Sequence, residues 1–120
     1  TNHQVRSPLL NINKSCQTCH HAPENELRMR VETIQDRHME MRSTAMNAVV
    51  ELIDAITKAK EQKVSEQKIA QAQNAHREAQ FLIDYVEAEN SMGFHAPQEA
   101  ARLLVKAMDI IRKAQAELNK

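Results

Sequence analysis

ENELRMRVETIQDRHMEMRSTAMNAVVELIDAITKAKEQ, residues 24–62, is the stretch on which the fold turns. Leu27, Val31, Ile34, His38, Met41, Ala45, Ala48 and Leu52 follow one another at spacings of 4, 3, 4, 3, 4, 3 and 4. That alternation keeps one stripe of a helix facing one way, as in a coiled-coil seam. Val49, Val50, Ile53 and Ile56 widen the stripe toward its far end. Pro23 suits a first helical turn, and Glu24 and Glu26 complement the positive end of the helix dipole. Lys58, Lys60 and Lys63 crowd the other end, where cations are favoured. A helix over about 24–62 would run roughly 55–60 Å at 1.5 Å per residue, longer than a globule of this size is wide.

Downstream, Val64 and Ser65 read as a break, with Ser65 as N-cap ahead of Glu66. Ile69, Ala72, His76, Ala79, Ile83 and Val86 then set a second seam, mostly of small residues that permit close helix approach. Phe81, Leu82 and Tyr85 add bulk near its end. The helix is expected over about 65–91, stopping near Asn90 and Ser91 with Gly93 as the left-handed residue beyond. Met92 to Pro97 form a tight connector, and Pro97 opens a third helix over about 97–119. Its seam is Ala100, Leu104, Ala107, Ile111, Ala114 and Leu118. Residues 1–15 show no helical period. The first two helices are expected to form a long hairpin whose narrow stripes seek a further partner.

Upstream of the long helix stands Cys16-Gln17-Thr18-Cys19-His20, a C-x-x-C-H motif that accounts for both cysteines of the chain. Two thiols one helical turn apart can each add across a haem vinyl group, and the following His can ligate the iron from below. A structural or redox C-x-x-C beside an unrelated His is the alternative. Two cysteines cannot make a structural zinc site unaided. A disulfide between them would close a very small loop. The expected cofactor is therefore covalent haem c, held by Cys16 and Cys19 with His20 as proximal ligand. The fold class is all-α: a haem-bearing segment over 1–23, then a long-helix region over 24–120 that doubles as an oligomerisation surface.

Composition agrees. Phe81, Phe94 and Tyr85 are the only aromatics besides the absent Trp, and glycine occurs once. Such a chain has little bulk for a core, and a haem would supply some. Lys plus Arg equals Asp plus Glu at 16 each, so no charge argument for nucleic acid arises. There is no run of about 20 apolar residues to span a membrane. Covalent haem attachment implies export, so a periplasmic location is expected. The opening Thr-Asn-His-Gln-Val-Arg has no signal-peptide pattern, which reads as a mature form or a piece of a longer protein.

The other histidines and the methionines are weighed by position. His38 and His76 fall on seams, where a buried hydrogen bond to a neighbouring helix is the expected role. His21 is turned away from the iron that His20 would hold, and faces solvent. His95, in the Gly- and Pro-bounded connector, is the better candidate for a ligand. Met29, Met39, Met41 and Met46 read as packing residues near the haem.

Cys16-Gln17-Thr18-Cys19-His20-His21, the very long helix and the stretch from His76 through Gly93-Phe94-His95-Ala96-Pro97-Gln98-Glu99-Ala100-Ala101-Arg102 resemble the C-terminal part of pentahaem cytochrome c nitrite reductase. That family reduces nitrite to ammonia in the periplasm. The resemblance implies that Cys16, Cys19 and His20 carry the last haem of the series. It implies that His95 is the distal ligand of the preceding haem, and His3 that of another earlier haem. The family's active-site haem is held by a lysine, whereas the motif here ends in His20, which implies a relay haem. Partners implied are the remainder of a multihaem enzyme or neighbouring copies, a homodimer through the long helices, and an electron-donor cytochrome. Catalysis would then belong to the whole enzyme, and this stretch alone would not be catalytic. The alternatives are a free-standing monohaem electron carrier and a helical oligomerisation module stapled by haem.

Overall fold

The computed structural model describes residues 10, 12, 16–17, 19–20, 22–88 and 97–120. They form three helices, α1 (Glu24–Glu61), α2 (Glu66–Glu87) and α3 (Pro97–Leu118), with no strand among the described residues. The all-α class expected from the seams is what the chain adopts.

α1 starts after Pro23 and carries Glu24 and Glu26 in its first turn and Lys58 and Lys60 in its last. Ion pairs lace its solvent side near the start, Arg28 with Glu24 at 3.8 Å and Arg30 with Glu26 at 2.9 Å. Exposed pairs four residues apart support a helix only slightly. Burial on one stripe does more. Leu27, Val31, His38, Ala45, Val49, Leu52, Ile56 and Ala59 are buried. The stripe is not the strict heptad of the sequence reading: Ile34, Met41 and Ala48 are only half-buried, and Val49 replaces Ala48. A helix with 3.6 residues per turn drifts about 20° per heptad against a 3.5-residue repeat, so the inner face steps from one row to the next.

The end of α1 is a closed cap. Gln62 N–H donates to the Lys58 carbonyl at 2.9 Å, Lys63 N–H to Lys60 at 3.2 Å, and Val64 N–H to Ala59 at 2.9 Å. Ser65 then caps α2, its hydroxyl accepting from the Lys68 N–H at 3.3 Å. α2 ends at Glu87, with Ala88 donating back to the Asp84 carbonyl, three residues before the expected stop. Gly93 and the rest of 89–96 lie outside the described residues.

The three seams meet in one core. α1 contributes Ala45, Val49, Leu52, Ile56 and Ala59, α2 contributes Ala72, Ala79, Ile83 and Val86, and α3 contributes Leu104, Ala107, Ile111, Ala114 and Leu118. Leu52, Ile83, Leu104 and Ile111 are each fully buried. Each such side chain stabilises by about 1.5–3 kcal/mol relative to exposure. The alanines between them let the axes approach closely. The first two helices form the expected hairpin, and its further partner comes from within the chain. α3 packs against both other helices, most extensively against α2, and the α1–α2 contact is the smallest of the three. The partner that the first two stripes required is the third helix of the same chain. Phe81 and Tyr85, expected to add bulk to the α2 seam, stand instead on its outer face at 67% and 63% exposure.

α1 has 38 residues against 22 in each of the others. The molecule is accordingly 61 Å long but 28 by 18 Å across. Arg42 of α1 meets Glu87 at the end of α2, 3.7 Å apart, so about the first five turns of α1 reach beyond α2 toward the cysteine motif.

Candidate haem-attachment site

The cysteine motif is built as consecutive tight turns. The Ile12 carbonyl accepts from the Cys16 N–H at 2.8 Å and from the Gln17 N–H at 3.0 Å. The Cys16 carbonyl in turn accepts from the Cys19 N–H at 3.2 Å and the His20 N–H at 2.9 Å. Ile12 is 1% exposed. Of residues 1–15, where no helical period is expected, only Leu10 and Ile12 are described, and the Ile12 carbonyl takes the helical bond from Cys16. The signal was faint, a single apolar residue between asparagines.

The backbone bonds from Cys19 and His20 to the Cys16 carbonyl close one turn over the motif. Cys16 is half-buried, and Cys19 and His20 are exposed. No disulfide joins the two cysteines. Beyond the motif, the Gln17 amide Nε2 donates to the Ala22 carbonyl at 3.4 Å, and the Leu27 N–H donates to Pro23 at 3.1 Å. These bonds tie the motif to the start of α1. A haem needs two thiols at this spacing and an imidazole one residue on, and the described residues provide that set.

The other candidate residues divide. His38 is buried on α1 at 6% exposure, and His76 is half-buried on α2. Both sit on helices of the bundle. His3, His21 and His95 lie outside the described residues. Of the methionines read as haem neighbours, Met41 and Met46 pack on the helical core instead. Met39 takes a hydrogen bond from Arg42 Nη2 at 3.2 Å. Met29 alone is strongly exposed, at 65%. Among the described residues no group of three His, Cys, Asp or Glu side chains is arranged to hold a metal ion, and no helix is long and apolar enough to cross a membrane.

Comparison with known proteins bears on the site. Residues 1–120 match the cytochrome c552 family. Cytochrome c-552 of Maridesulfovibrio salexigens is 36% identical over 118 residues, covering 98% of this chain and 24% of the relative. Cytochrome c-552 of Porphyromonas gingivalis is 30% identical, again over 98% of this chain and 24% of the relative. That of Bacteroides thetaiotaomicron is 32% identical over the whole of this chain and 24% of its own length. The chain thus spans about a quarter of the length of the curated relatives it matches. The assignment to pentahaem cytochrome c nitrite reductase, drawn from the cysteine motif and the His76–Glu99 stretch, is corrected by these matches. The family and each of these relatives bear the name of a cytochrome, c552 or c-552, and none bears that of a nitrite reductase. The chain belongs to the cytochrome c552 family, c-type cytochromes whose prosthetic group is covalently bound haem c.

Proposed function

We propose that this chain is a monohaem electron-transfer unit that works in the periplasm, with haem c fixed through Cys16 and Cys19 and His20 as the proximal ligand of its iron. The observation that carries the reading is the turn in which the Cys16 carbonyl accepts from both Cys19 and His20. When bound, haem c supplies a one-electron iron couple. The protein's part is to hold and to tune. Two thioether bonds would prevent loss of the group, and the Ile12 carbonyl holds the start of the turn through the Cys16 and Gln17 N–H groups. The imidazole of His20 would be oriented by a backbone bonded to Cys16, so little rearrangement is needed when the charge changes. Catalysis is not assigned to these residues; their role is relay. Haem attachment through thioethers implies assembly outside the cytoplasm, which is the basis for the periplasmic location.

His3 and His95 stay as proposed distal ligands to haems on neighbouring copies or other segments, on the strength of residue type alone. A homodimer is also proposed. Met39, Val50 and Ile53 are exposed at 36%, 52% and 41% on α1 and, with Ser43 and Thr57, form an uncharged outer stripe at heptad spacing. A second copy could lay the same stripe against it, as an isologous contact requires.

Intact mass under denaturing conditions tests the main reading. One covalent haem per chain is the expected result, and a chain exported with a haem-maturation system yet carrying none would refute it. Sedimentation distinguishes the electron carrier from a haem-stapled oligomerisation module. A haem-loaded monomer removes the dimer and the module while leaving the carrier intact.

A further inference from the structure

A haem tethered at Cys16 and Cys19 needs apolar wall, since its macrocycle is largely hydrophobic. The described aromatics Phe81 and Tyr85 stand exposed on the outer face of α2. Near the motif, Ile12, Leu27 and Val31 are already buried by protein. Met29 and Ile34 are not. Together with Thr33 they line a shallow cleft of about 430 Å³ on the first turns of α1. Its walls are less polar than the residue names suggest. The Thr33 hydroxyl is used internally, donating to the Met29 carbonyl at 2.8 Å. Arg30 and Glu26 at the rim neutralise one another across 2.9 Å. The cleft begins at Glu26, six residues past His20, which is at most about 20 Å of extended chain.

We propose that Met29, Thr33 and Ile34 form the apolar seat against which the haem c at Cys16 and Cys19 rests, Met29 acting as a contact residue and not as an iron ligand. The inference rests on the attachment reading above and adds to it which face of α1 the haem meets. Of the four methionines on α1, the structure selects one: Met41 and Met46 are engaged in the core, and Met39 lies ten residues along the helix from Met29.

The test uses the haem-loaded protein with ¹³C-labelled methionine methyl groups, the Met29 signal being assigned by its loss in Met29→Leu. Between the ferrous and ferric states the Met29 methyl is expected to shift and broaden, because it lies near a paramagnetic iron. The Met46 and Met108 methyls, far along the bundle, are expected to stay unchanged. Met29→Glu is further expected to reduce the Soret-region circular dichroism while leaving the far-ultraviolet helix signal and the covalent haem mass intact. Val105→Glu, at an exposed position on α3, should alter none of these. A Met29 signal indifferent to oxidation state, with haem attached, overturns the seat alone. A chain with no covalent haem overturns the attachment and the seat together.

Discussion

The Val64 N–H donates to the Ala59 carbonyl at 2.9 Å, and between them Lys63 adopts a left-handed φ of 59°. With the Lys63-to-Lys60 bond this is a Schellman closure, in which the left-handed position is normally filled by glycine. A side chain there costs about 1 kcal/mol or more against glycine, partly offset by glycine's extra freedom when unfolded. Lys63→Gly is therefore expected to stabilise the fold by roughly 0.5–1 kcal/mol. Urea denaturation followed by circular dichroism measures it, and a lowered midpoint would contradict the cap geometry.

One residue later the same connection depends on Ser65. Its hydroxyl satisfies the Lys68 amide, which otherwise has no helical acceptor. Ser65→Ala should cost about 1 kcal/mol, and Ser65→Asp should restore most of it. Equal melting temperatures for the three proteins would show the cap to be idle.

The core should respond to volume in both directions. Ala79 and Ala107 are completely buried where helices approach, so Ala79→Leu or Ala107→Leu should cost about 1–3 kcal/mol by overpacking. Leu104→Ala should cost about 2–5 kcal/mol through the cavity it leaves. Thermal melts of the haem-loaded protein read both.

Attachment chemistry predicts a graded series. Cys16→Ala or Cys19→Ala should leave a haem held by one thioether, and the double variant should lose all covalent haem on a denaturing gel. His20→Ala should retain both thioethers but shift the optical spectrum toward that of an open iron site. Loss of covalent haem in His20→Ala, with the cysteines intact, would point to a role in attachment and not in ligation.

Two exposed carboxylates give a pH signature. The Arg102 guanidinium, through a hydrogen bond, holds Glu99 below the ordinary value of 4.5, and Lys120 does the same to Glu117. A folded-state value below the unfolded one means stability is fully present above about 4.5 and is lost as pH falls through the lowered value. The effect is small because both groups are solvent-exposed. Carboxyl NMR titration should place the Glu99 midpoint below that of a free glutamate, and Arg102→Ala should return it.

Where the sequence was legible, a period or a chemical pattern marked the position. Seam residues such as Leu52, Ile83 and Ile111 are buried where the spacing put them. Ser65 caps as a serine before a helix should. The pairing of helices was not legible, because a seam states that a face will be covered and not by which element. All three seams mix alanine with larger aliphatics, Ala45, Val49, Leu52, Ile56 and Ala59 on α1 against Leu104, Ala107, Ile111, Ala114 and Leu118 on α3, so side-chain size singles out no pair. Ile12 escaped because one buried residue makes no period. The motif's chemistry was readable from five residues. The family was misassigned on the motif, the long helix and the stretch from His76 to Arg102 taken together, features that the cytochrome c552 match covers as well.

The unequal helix lengths carry a practical consequence. Glu24 and Glu61 lie about 56 Å apart along α1, the motif adjoins the first and the α1–α2 turn follows the second. Leu118 and Asn119 line a hollow with Ala59, Gln62 and Val64, and the Lys120 carbonyl accepts from Lys68, so this corner also holds the last residues of α3. That corner is electrically remote from a group bound at Cys16 and Cys19. A label, surface anchor or fused reporter placed there would address the molecule without entering its redox circuit, whereas the same attachment near Met29 would become part of it.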